Sequence, residues 1–156
     1  MTTSRLTIWL LCAGAIALAC GPRARDAATS DSAAPPSAEA ARDGSPLASS
    51  LDLGVADDVR LALHITNRSD STVELQFPSG QLYDFVIRDS AGGELWRWGA
   101  DRMFTQALQT RSLGPGQSLT FEERWTPGET TGTLTAVGRL ASTNLPVEQQ
   151  LEFTLP

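Results

Sequence analysis

Lysine is absent from this sequence: its twelve basic residues are all arginines, set against eighteen Asp and Glu for a net charge of −6. From residue 51 onward eight Arg stand against fourteen Asp and Glu, again a net −6, with no run of like charge. A protein that holds nucleic acid needs a basic stripe to displace counterions from phosphate, so nucleic acid is excluded as a partner. Histidine is reduced to His64, and both cysteines, Cys12 and Cys20, fall within the first twenty residues. That leaves no Cys/His cluster for zinc and no disulfide frame for the rest of the chain. The glycines of "AGG" and "GPG" lack the lysine context of a phosphate-binding loop, and no cofactor is expected. No segment sustains a helical period, and no apolar run reaches the roughly twenty residues that cross a bilayer.

What the N-terminus does have is Arg5 followed by an uncharged apolar stretch, Leu6 to Ala19. Too short to span a membrane, it fits the core of an export signal, and residues 1–19 are expected to be a signal peptide. The sequence "IALAC" before Gly21 resembles the lipobox of bacterial lipoproteins, which implies that Cys20 is lipidated and becomes the mature N-terminus. Cys12 would leave with the signal, and acylation would remove the lone exposed thiol that Cys20 otherwise presents. One acyl chain holds a membrane only marginally, but the several implied by a lipobox make a stable anchor. Gly21 follows the cysteine where an Asp would favour the inner membrane, so the expected place is the cell envelope, at the outer membrane or cell surface. Simple cleavage after Ala19 would instead leave a soluble exported protein.

Residues 20–50 are rich in Ala, Ser and Pro, with Pro22, Pro35, Pro36 and Pro46. Such a composition cannot bury enough apolar surface to offset its chain entropy, and it reads as a disordered tether spanning about 30 Å as a flexible coil. Residues 51–156 are different. Short segments with a period of two are separated by turn signals, as in an all-β fold.

In "VRLALHIT" Val59, Leu61, Leu63 and Ile65 share a face, and in "TVELQFP" Val73, Leu75 and Phe77 do; the polar "NRSDS" between them predicts a hairpin. "YDFVIRD", "SAGG" and "ELWRW" predict a second hairpin, with Tyr83, Phe85, Trp96 and Trp98 on one side. Pro115 and Gly116 suit the two central positions of a turn that needs positive φ at the second. Then follow "SLTFEERW", "GTLTAVGRL" and "VEQQLEFTL". Seven or eight one-sided strands must bury their faces against each other, which predicts an immunoglobulin-like antiparallel β-sandwich, with an open barrel as the alternative.

Chemistry is scarce. His64 lies between Leu63 and Ile65, which point the other way, and is expected to be an exposed strand residue. A triad built on it would take Ser71 or Ser118 as nucleophile, yet no nucleophile elbow accompanies either. Glu122 and Glu123 are neighbours on a strand and point to opposite faces, so they do not converge on one ion or bond. An enzyme is not expected.

The stretch from roughly Val59 to Pro127 resembles the intracellular proteinase inhibitor (BsuPI-type) domain family. The likeness rests on a strand ending at Asn67, the block Phe77–Phe85, "GGELWRW" from Gly92, Phe104-Thr105-Gln106, the Pro115-Gly116 turn and Trp125. It implies an immunoglobulin-like sandwich that acts by protein contact, with a serine protease as the expected partner. The founding member works in the cytoplasm, whereas this chain carries an export signal, so the target is expected to differ. The alternative is a non-inhibitory module for envelope assembly or adhesion.

Function concentrates in loops. The candidate contact residues are therefore Ser79, Gly80 and Gln81 in one loop and Met103 and Phe104 in the segment 99–106, with Met103 the candidate occupant of a protease's primary pocket. Asp84, which alternates away from Phe85, is expected to bind backbone amides or Arg97 across its hairpin.

Overall fold

The computed structural model describes strand residues 37–40 and the continuous stretch 44–156. The expected signal peptide, Cys20 and much of the expected tether lie outside the described residues.

The described residues form ten strands: β1 (Ser37–Ala40), β2 (Leu47–Val55), β3 (Val59–Asn67), β4 (Val73–Phe77), β5 (Tyr83–Arg88), β6 (Glu94–Arg97), β7 (Gln109–Leu113), β8 (Ser118–Trp125), β9 (Gly132–Leu140) and β10 (Val147–Leu155). They pair antiparallel in the orders β1-β2-β3-β8, β10-β9-β5-β6 and β4-β7. The two larger sheets face each other, with β2 against β10 and β3 against β9. Side chains of one parity from each fill the space between: Leu51, Leu53, Leu61, Leu63 and Ile65 from one, Phe85, Ile87, Leu134, Ala136 and Phe153 from the other. This is the β-sandwich that the alternating pattern predicts.

Gly138 on β9 shows how close the sheets come. A Cβ there would lie 3.1 Å from Leu51, 3.2 Å from Phe85 and 3.4 Å from Leu63, so a residue without a side chain lets both layers meet. The turn Gly114–Gln117 also forms as its sequence demands, with Gly116 at φ 69° and Gln117 N–H donating to the Gly114 carbonyl at 3.1 Å.

Two expectations are corrected. The folded region does not begin at residue 51: β2 opens at Leu47, and Leu47, Ala48 and Ser49 are buried. The buried Gln149 of β10 donates to Ser49 Oγ at 2.7 Å, so the polar "SS" pair that looks like linker is the seat of a hydrogen bond between elements. Nor do β3 and β4 form a hairpin. β3 lies between β2 and β8, while β4 pairs with β7.

Asn67 explains the parting of β3 and β4. Its buried side chain donates to the carbonyls of Ser71 and Leu113, both at 2.8 Å, and accepts from Ser69 N–H at 2.9 Å and Ser69 Oγ–H at 2.7 Å. All its hydrogen-bonding capacity goes into turning the chain away from β3 and holding it to the end of β7. The strand count exceeds the seven or eight expected because β1 and the polar β7 carry few large apolar residues, and the first half of β2 reads as linker.

A braced loop beside the β5–β6 hairpin

The hairpin formed by β5 and β6 pairs Val86 with Arg97 and Ile87 with Trp96, and Trp98 N–H continues the ladder onto the Phe85 carbonyl at 2.9 Å. Tyr83, Phe85, Trp96 and Trp98 therefore share the inner face, as the parity predicts. They do not share its depth. Phe85 is fully buried, while Tyr83, Trp96 and Trp98 are half-buried along the margin.

That margin is an aromatic row. Phe121 of β8 stacks on Tyr83 with centroids 4.4 Å apart, Tyr83 stacks on Trp98 at 4.3 Å, and Phe104 leans on Trp98 at 5.6 Å. Offset stacking adds to the area that each ring buries. Tyr83 O–H donates to Glu123 Oε1 at 2.6 Å, and burial together with this carboxylate pushes the phenol above its usual range. The row thus ties both large sheets to the segment after β6.

From Trp98 to Leu108 the chain forms neither helix nor strand. It is nevertheless fixed at several points. Asp84, buried on the opposite face of β5, accepts from Gly99 N–H at 3.1 Å and meets Arg97 Nη1 at 3.4 Å, which is the role expected of it. Arg97 also pairs with Glu94 at 2.8 Å; hydrogen bonding from the guanidinium draws the Glu94 carboxyl down. Gly80 N–H donates to the Thr105 carbonyl at 2.9 Å. A Cβ on Gly80 would lie 2.6 Å from Thr105 Oγ1, and one on Gly99 would lie 2.7 Å from Gln81 Nε2, so the two loops touch at glycines.

The candidate contact residues divide accordingly. Ser79, Gly80 and Gln81 are half-buried and act as a shelf under the second loop, with Ser79 Oγ accepting from Gln81 N–H at 3.2 Å. Phe104 is half-buried against Trp98. Met103 is 100% exposed. Arg102, adjacent to it, lies with its guanidinium carbon 4.4 Å from the Trp98 ring centroid and donates from Nε to the Trp98 carbonyl at 3.1 Å.

Sequence reasoning missed Trp98 as the brace and Arg102 as its partner. The signal was the short spacing from an aromatic to an arginine in "WGADR". It also missed Leu108, which is 86% exposed.

His64 sits on the outer face of β3, with Nδ1 2.9 Å from Thr120 Oγ1 and Nε2 3.2 Å from Asp52 Oδ2. The three residues form a row across β8, β3 and β2, and neither Ser71 nor Ser118 is the hydroxyl beside the ring. This row is a hydrogen-bonded stripe on an open sheet face. Among the described residues no group of His, Cys, Asp and Glu is arranged to hold a metal ion.

No curated protein matches the chain. Among solved structures, a β-glucosidase from Erythrobacter marinus is 17% identical with a TM-score of 0.36, and the likeness covers 69% of this chain but only 16% of that one. The GAE domain of GGA2p from Saccharomyces cerevisiae is 14% identical with a TM-score of 0.26, over 76% of this chain and 98% of that one. Both scores are too low to bear on function. The family model described as "BsuPI: Intracellular proteinase inhibitor" matches residues 50–145, more than half of the sequence, and takes in both loops and the whole aromatic row. The chain belongs to the BsuPI intracellular proteinase inhibitor family.

Proposed function

We propose that this chain is a serine protease inhibitor held at the cell envelope by a lipid on Cys20, and that its protease-contacting element is the loop 102–106. The observation that carries this reading is Met103: its side chain is wholly exposed while the residues on both sides of it are packed on Trp98. A large apolar side chain fully in water gains by entering a pocket, and a loop already fixed loses little entropy when it docks. Inhibitors that block a protease by occupying its cleft need that combination. The aromatic row and the Gly80–Thr105 hydrogen bond supply the stiffness that a disulfide would supply elsewhere.

Family membership supports inhibition; the export signal and the lipobox-like "IALAC" support the envelope as the place. The experiment is a titration of the purified chain against a panel of serine proteases, following residual activity against the molar ratio. Inhibition predicts a linear fall to zero near one-to-one with at least one of them. A flat line with intact, folded protein would transfer the function to a binding module of envelope assembly or adhesion, whose partner a pull-down would then seek.

A further inference from the structure

The geometry points to residue 103 as the determinant of which protease this chain takes, and to a target whose primary pocket is apolar and uncharged. This rests on the inhibitor reading above. By composition alone, "DRMF" offers three side chains for a primary pocket: Arg102, Met103 and Phe104. They call for different enzymes, since a trypsin-like pocket carries a carboxylate for a basic side chain and a chymotrypsin-like pocket is an apolar slot.

The fold has committed two of the three. Arg102 lies over the Trp98 ring at 4.4 Å and donates to the Trp98 carbonyl at 3.1 Å, so presenting it to an acidic pocket would undo two interactions at once. Phe104 leans on the same indole, with ring centroids 5.6 Å apart. The exposed Asp101 just before Arg102 would add a like charge near an acidic pocket. Met103 is left, fully exposed, unbranched and apolar, with three rotatable bonds that let it adapt to a slot lined by hydrocarbon. The loop thus selects against trypsin-like enzymes even though it contains an arginine.

The test measures inhibition constants of wild type, Met103→Leu and Met103→Arg against chymotrypsin and trypsin. Because residue 103 is fully exposed, all three should share one thermal unfolding midpoint. The wild type and Met103→Leu should prefer chymotrypsin, and Met103→Arg should shift the ratio of the two constants toward trypsin by about 100-fold or more. Any slow cleavage of the wild type should fall after Met103. A wild type that inhibits trypsin as well as chymotrypsin, a Met103→Arg variant with an unchanged ratio, or cleavage after Arg102 would overturn the assignment while leaving an inhibitor. Failure of all three proteins to inhibit either enzyme would overturn the assignment, and a flat line across the wider serine protease panel would overturn the inhibitor reading itself.

Discussion

Tyr83 and Trp98 stack with ring centroids 4.3 Å apart and planes 27° from parallel. Tyr83 opens β5 at the margin of the sandwich, whereas Trp98 is the root of the loop that presents Met103. Stability and presentation therefore meet in one contact.

Trp98→Ala should remove the support of both Arg102 and Phe104. In urea it should cost about 2–4 kcal/mol, below the range for a fully buried Trp because this side chain is only partly buried. The buried Nε1 has no hydrogen-bond partner among the described residues, so Trp98→Phe should lose much less. Equal losses in the two variants would show that the stack is not what holds the loop.

Phe85 is 0% exposed, lying against Gly138 between the sheets. Phe85→Ala should cost about 3–5 kcal/mol, with Trp125→Ala at the lower end of that range. A loss under about 1 kcal/mol in a urea titration would contradict the inward assignment of this strand parity.

Tyr83 is the only tyrosine of the chain, which makes its ionisation readable by absorbance without assignment. Burial and the Glu123 carboxylate raise the folded phenol above its unfolded value. The sign follows: the protonated phenol contributes stability that is complete below the ordinary tyrosine range and is lost as pH rises through that range toward the folded value. Folded protein should therefore show no tyrosinate at a pH where the urea-unfolded chain shows it fully. Glu123→Gln should bring the onset down.

Replacing Cys20 tests the anchor. Wild type expressed in a lipoprotein-processing bacterium should partition into detergent, and Cys20→Ala should stay in the aqueous phase or retain its signal. A wild type found in the aqueous phase would leave an exported but untethered inhibitor.

The fold was largely legible in the sequence where one side of a strand is apolar, as in "VRLALHIT", "TVELQFP" and "VEQQLEFTL". It was hidden where burial is achieved by small or polar residues. Ser49 accepts from Gln149, and the Asn67 side chain uses every donor and acceptor it has, so neither the start of β2 nor the chain beyond Asn67 shows the alternation that marks a strand. Pairing partners were harder still, because a polar connector is compatible with a hairpin or with a crossing between sheets; "NRSDS" turned out to be the latter. At the loop, Met103 could be singled out by type and position. That Arg102 is held back and Met103 is not depends on where the Trp98 ring lies, which only the tertiary structure reveals.

The most direct test of the account is a pair of titrations of a serine protease with an apolar primary pocket, one with wild type and one with Met103→Asp. The account predicts stoichiometric loss of protease activity with the wild type and essentially none with the variant, while the two proteins unfold at the same temperature. Equal inhibition by both would contradict it, and would move the contact surface away from the loop that Trp98 braces.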